Sequence, residues 1–144
     1  MAAVASVVGL LLMIGGLGTV ILRKEVVSTE PLTVMLQVGA VALMVWARLS
    51  FGRRSFHATA SPTPGGLVTS GPYGWIRHPI YTAVSLFAWA CVLGHPSLVA
   101  VSAAMLVTVG GLMRMLAEES ALRLLYPEYL QYARKTKRML PYVF

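Results

Sequence analysis

No Asp, Glu, Lys or Arg occurs in residues 1–22, 31–47 or 80–113. A helix needs about 20 mostly apolar residues to cross a bilayer. Residues 1–22 therefore predict one span, and 31–51 a second with Arg48 near its end. The 34 residues of 80–113 are too many for a single crossing. Gly94-His95-Pro96-Ser97 divides them into a hairpin of 80–93 and 97–116, because proline opens helices and breaks their interiors. The pattern predicts an all-α, polytopic membrane protein with about four transmembrane helices. Residues 1–22 have no basic leader and no small-residue cleavage site before a polar domain, so they read as a span and not as a cleaved signal peptide.

The polar positions fall between and after these spans. Residues 52–76 form the one long polar connection, and Ser61-Pro62-Thr63-Pro64-Gly65-Gly66 within it is too rich in turn formers to continue a helix. Leu67, Val68, Tyr73, Trp75 and Ile76 make the rest of this loop apolar enough to pack at the membrane surface, where Tyr73 and Trp75 also suit an aromatic belt. After the fourth span, 114–126 is predicted helical, with Arg114/Glu118 and Glu119/Arg123 spaced one turn apart. Pro127 fits the start of a short interfacial helix over 127–135. Leu122, Leu125, Tyr129 and Tyr132 give it an apolar-aromatic stripe, and Leu140-Pro141-Tyr142-Val143-Phe144 is apolar enough to dock on the protein. The expected organisation is one membrane-embedded unit: two anchoring spans (1–51), a cytoplasmic loop (52–79), a helical hairpin (80–116) and a cytoplasmic cap (117–144). Gly15-Gly16-Leu17-Gly18 lies at membrane depth with no preceding strand. It reads as close helix packing and not as a nucleotide loop, and Gly110-Gly111 reads the same way.

Composition sharpens this picture. Hydrophobic residues make up 57% of the chain and charged ones 12%, against about a quarter charged in soluble domains. The net charge of +7 is unevenly placed. Arg48, Arg53, Arg54 and Arg77 lie by the second loop, and Arg114, Arg123, Arg134, Lys135, Lys137 and Arg138 at or after the fourth span. That leaves two of the twelve basic residues, Arg23 and Lys24, for the other face. Such a bias orients a membrane protein and does not indicate nucleic-acid binding: the positive-inside rule puts both termini, the long loop and the tail in the cytoplasm. Cys91 is the only cysteine, which excludes an intramolecular disulfide and a cysteine-rich metal site. No metal is expected.

The candidate chemistry lies at the cytoplasmic edge. A tight hairpin begins and ends at one membrane face, so it brings Arg77, His78, Tyr73 and Tyr81 within reach of Arg114, Glu118 and Glu119. Singly, these residues suit a snorkelling arginine, a helix cap and an ordinary pair one turn apart. Together at membrane depth they mark a site.

The run Gly71-Pro72-Tyr73-Gly74-Trp75-Ile76-Arg77-His78-Pro79-Ile80-Tyr81, followed by Glu118-Glu119, then Tyr126-Pro127-Glu128-Tyr129 and Tyr132, resembles the isoprenylcysteine carboxyl methyltransferase and phospholipid methyltransferase family. These are membrane enzymes that use S-adenosylmethionine, and the resemblance covers residues 65–141. It implies a cofactor pocket lined by Gly65, Gly66, Leu67 and Val68, by Tyr73, and by His78, Pro79, Ile80 and Tyr81. Glu118 contacts the cofactor and Arg114 faces the methyl acceptor. Residue chemistry adds Glu119 as a second carboxylate for the cationic end of the cofactor. It gives His78 or Glu119 the part of base if the acceptor is an amine. Tyr73 and Tyr81 suit the adenine or, through cation–π attraction, the sulfonium. Many relatives have glycine where Ala83 stands here, a change that bears on substrate size.

The implied partners are the bilayer and a lipophilic or amphipathic acceptor, methylated on O, N or S; oligomeric state is not legible. One rival is an NADPH-dependent enone or steroid reductase, but such enzymes follow the motif tyrosine with Gly-Glu where this chain has Thr82-Ala83. Another is a small four-helix exporter, which needs an acidic residue that 1–22 does not contain. A non-enzymatic scaffold leaves the loop chemistry unexplained.

Overall fold

A computed structural model describes residues 2–52 and 66–144. Gly65, Arg53, Arg54 and most of the turn-rich 61–66 segment lie outside the described residues. Among the described residues five α-helices follow one another: α1 (Ala2–Leu22), α2 (Pro31–Phe51), α3 (Pro79–Gly94), α4 (Leu98–Leu125) and α5 (Tyr129–Lys135), with a 3-10 turn at Gly71–Gly74 before α3. No strand occurs among the described residues. Helices α1, α2 and α4 are long and apolar enough to cross a membrane, and α3 is a shorter apolar helix. Leu11, Ile14, Leu22, Met35, Val38 and Trp46 are exposed, as expected where the surrounding solvent is hydrocarbon. The chain is an integral membrane protein.

Local chemistry sets the helix ends. Proline occupies the first turn of α2 and of α3, where its missing N–H costs nothing. The Ser97 side chain caps α4 by accepting from the Ala100 N–H at 3.0 Å. Gly52 closes α2 at φ 66°, donating its N–H to the Arg48 carbonyl, a left-handed conformation that favours glycine. The expected 97–116 span and the helix expected over 114–126 form one unbroken helix to Leu125, 28 residues long, because no glycine or proline interrupts Leu112–Tyr126. At 1.5 Å per residue α4 is about 42 Å long, so its last two turns rise beyond a hydrocarbon core of about 30 Å.

In space, α1 packs on α4, α4 on α3, and α3 on α2. The α1–α4 seam depends on missing side chains. A Cβ on Gly9 would lie 2.6 Å from the Gly110 carbonyl oxygen, one on Gly110 would strike the Gly9 carbonyl, and one on Gly16 would lie 2.5 Å from the Ala103 carbonyl. Gly15 and Gly18, expected to share this packing, instead face open space. Small residues fill the centre of the bundle: Ala88, Ala104 and Val107 in one cluster, Val20, Cys91 and Ala103 in another.

The expected tail contacts are revised in two places. Tyr129 is fully buried, but Leu125 from the same expected stripe is exposed. The terminal residues do not dock on the bundle. They curl on themselves, with the Met139 N–H donating to the Phe144 carbonyl at 2.7 Å and the Arg138 guanidinium 5.3 Å from the centre of the Phe144 ring.

Candidate active site

Gly71 starts the site. Its φ is +60°, and a Cβ there would run into the Ser50 side chain, so only glycine lets the 3-10 turn lie this close to the end of α2. The turn buries Tyr73, whose ring sits 5.5 Å from that of Phe51. Burial raises the Tyr73 phenol well above its ordinary pKa, and the nearby Glu118 charge adds to the shift. Both favour the neutral phenol. Trp75 is exposed, the geometry of an interfacial anchor.

The chain then passes into α3 through Arg77 and His78, held from outside by the C-terminal segment. The Arg77 N–H donates to the Lys137 carbonyl at 2.7 Å, the His78 N–H to the Arg138 carbonyl at 2.9 Å, and the Lys137 N–H to the Trp75 carbonyl at 3.1 Å. These bonds form a short parallel bridge around Ile76 and Lys137. Side chains reinforce it. The Arg77 guanidinium donates to the carbonyls of Ala133 and Thr136, and the Tyr132 hydroxyl to the Tyr73 carbonyl at 2.7 Å. The Thr82 hydroxyl donates to the Met139 carbonyl at 2.9 Å.

Two rows of side chains face each other across the α3–α4 seam. The Tyr81 hydroxyl donates to Glu118 Oε2 at 3.2 Å and accepts from Arg114 Nε at 3.3 Å. His78 Nδ1 lies 3.7 Å from the same Glu118 oxygen. The His78 and Tyr81 rings stack with centroids 5.8 Å apart. Arg114 is buried and also donates to the Ser6 carbonyl of α1 at 3.1 Å. The expected meeting of Arg114 and Glu118 with the start of α3 is present, and Tyr81 is the bridge between them.

Glu119, one position on, has different surroundings. Its side chain is 3% exposed against 29% for Glu118, and it receives Arg77 at 3.1 Å, Arg138 at 3.3 Å and Arg123 at 3.5 Å. These contacts tie the motif, α4 and the tail together. His78 Nε2 comes within 3.4 Å of Glu119 but without the alignment of a hydrogen bond, and this buried nitrogen has no hydrogen-bonding partner among the described residues. The buried Tyr129 hydroxyl likewise makes none among them, and burial pushes its pKa up to about 12.

Of the other expected pocket residues, Pro79 is buried and Ile80 half-buried at the start of α3, while Leu67 and Val68 are half-buried and Gly66 exposed ahead of the 3-10 turn. Sequence reasoning missed the tail's part in the site. In the sequence Lys137 and Arg138 count only toward the basic bias that orients the chain, yet their backbone carbonyls hold the motif. The sequence offers no local signal for pairing across some sixty residues. Ser6 was missed for the same reason.

The phospholipid methyltransferase family model matches residues 30–129. The chain belongs to this family. The matched stretch holds α2, the motif, Arg114 and Glu118, while α1 and the tail fall outside it. Family membership gives a membrane methyltransferase. No curated protein and no solved structure matches the chain.

Proposed function

We propose that the protein transfers a methyl group from S-adenosylmethionine to an apolar or amphipathic acceptor, on the cytosolic face of the membrane. One observation carries the reading: the Tyr81 hydroxyl joins Arg114 to Glu118 beside His78. Cation, carboxylate, imidazole and aromatic faces thus share one membrane edge.

The donor set fits the cofactor. Glu118, the more open of the two glutamates, pairs with its cationic end, whereas Glu119 is taken up by arginines. His78 Nε2, buried beside Glu119 but without a hydrogen bond among the described residues, offers one to its polar groups. Tyr73 and Tyr81 give flat walls for the adenine and a π face for the sulfonium. When bound, S-adenosylmethionine would supply an electrophilic sulfonium methyl to the acceptor lone pair, with the thioether as leaving group.

Alignment is the main work left to the protein, and it supplies up to about 7–11 kcal/mol in such displacements. Arg114 is fixed by the Ser6 carbonyl and Tyr81, and it orients an acceptor that carries negative charge. His78 takes the proton if the acceptor is an amine. The basic excess on the loop and tail side supports a cytosolic site, which the acceptor reaches sideways from the bilayer.

Membranes containing the protein, incubated with methyl-labelled S-adenosylmethionine, should yield label in a solvent-extractable product, whose identification names the methylated atom. Arg114→Ala should lower that turnover about a hundredfold, the cost of losing alignment, while changing the affinity for S-adenosylhomocysteine little. Absence of label, together with thermal stabilisation by NADPH and none by S-adenosylhomocysteine, would favour a reductase.

A further inference from the structure

The facing rows on α3 and α4 continue below the proposed cofactor site. His78 meets Glu118, Tyr81 meets Glu118 and Arg114, and the next rung pairs Ser85 with Gly111. One rung deeper the seam closes on the apolar cluster of Ala88, Ala104 and Val107. Ser85 is therefore the floor of a polar row that descends about 10 Å from His78, seven residues at 1.5 Å each.

The Ser85 hydroxyl is buried and makes no hydrogen bond among the described residues. Helical serines usually bond back to the carbonyl four residues earlier. Ser102 does so to Leu98 at 2.8 Å, and Ser120 to Leu116 at 2.8 Å. Ser85 does not. An unsatisfied hydroxyl at this depth is destabilising, so its retention calls for a partner outside the folded chain. Room for one lies opposite. A Cβ on Gly111 would sit 3.7 Å from the Tyr81 Cβ and 3.9 Å from the Ser85 Oγ, in ordinary contact. Its neighbour Gly110 has no such space. The missing Gly111 side chain leaves an atom-sized gap beside the hydroxyl, one turn below Arg114.

We propose that the Ser85 hydroxyl, facing Gly111, hydrogen-bonds the polar head of the methyl acceptor and sets how deep the acceptor sits. This makes Ser85 a specificity-determining residue. The proposal rests on the methyltransferase reading above and adds to it the acceptor's resting point.

Purified protein is assayed with methyl-labelled S-adenosylmethionine and graded amounts of lipid extracted from the membranes in which it labels a product. Ser85→Ala should raise the half-saturating lipid concentration about three- to tenfold, the size of one neutral hydrogen bond. Its thermal stabilisation by S-adenosylhomocysteine should match that of the wild type. Its own melting temperature should be equal or higher, since a buried unsatisfied group has been removed. Gly111→Ala, which fills the gap, should likewise weaken lipid saturation and leave stabilisation by S-adenosylhomocysteine intact. Wild-type lipid saturation in Ser85→Ala, or a melting temperature lowered by several degrees, would overturn the assignment alone. A wild type that transfers no label and gains no stability from S-adenosylhomocysteine would overturn the methyltransferase reading and this assignment with it.

Discussion

Glu118 and Glu119 are one position and about 100° apart around α4, and that rotation gives them different work. Glu118 turns to Tyr81 and His78 and keeps partial access to solvent, whereas Glu119 turns to Arg77, Arg123 and Arg138 and is enclosed. Removing a buried charge leaves its partners uncompensated, a loss of about 3 kcal/mol or more. Glu119→Gln should therefore lower the melting temperature in detergent by several degrees, and Glu118→Gln should lower it much less. Equal melting temperatures for the two variants would dissolve the distinction. In the sequence the pair is two adjacent acids above a motif, and nothing local separates them. Their difference depends on a tail that arrives from Arg138, nineteen residues later. Arg77 is similar: its place in the motif suggests a ligand contact, yet its guanidinium is occupied by Glu119 and two tail carbonyls.

At the scale of elements, the helices were legible because charge-free runs and their punctuation by Pro31, Pro79, Gly94 and Ser97 are strong, local signals. Which glycine faces a neighbour was not. Gly15, Gly16 and Gly18 form one run, and only the rotation of α1 against α4 selects Gly16, alongside Gly9, for the seam. The same contact places Ser6 under Arg114, so α1 supports the proposed acceptor side of the site. Gly110→Leu should separate α1 from α4 and lower both melting temperature and turnover. Gly15→Ala should leave turnover unchanged and stabilise α1 by up to about 1 kcal/mol, the usual helix gain over glycine. Melting curves and label transfer on both variants check this, and the account fails if Gly110→Leu behaves as Gly15→Ala does.

For the whole molecule, one asymmetry sets orientation and another builds the site. Of the ten basic residues among the described ones, eight lie on the side of the motif and tail, with Arg23 and Lys24 opposite, which predicts a cytosolic site. In intact cells, a membrane-impermeant maleimide should label Lys24→Cys and reach Lys137→Cys only after permeabilisation, against a quiet background because Cys91 is buried. The reverse pattern would place the site outside. The bundle itself joins Tyr81, Arg114 and Glu118, and the tail, pairing with the chain around Ile76, sets Arg77 and Glu119 beside them, so motif, α4 and tail act as one structure at the membrane edge. That they together hold a sulfonium nucleotide is tested most directly by calorimetric titration of the purified protein with S-adenosylhomocysteine. The account predicts saturable binding by the wild type, weakened about tenfold or more by Glu118→Gln, in keeping with loss of a charge-assisted contact, and little changed by Arg114→Ala. No binding by the wild type, or equal affinity in Glu118→Gln, would contradict it.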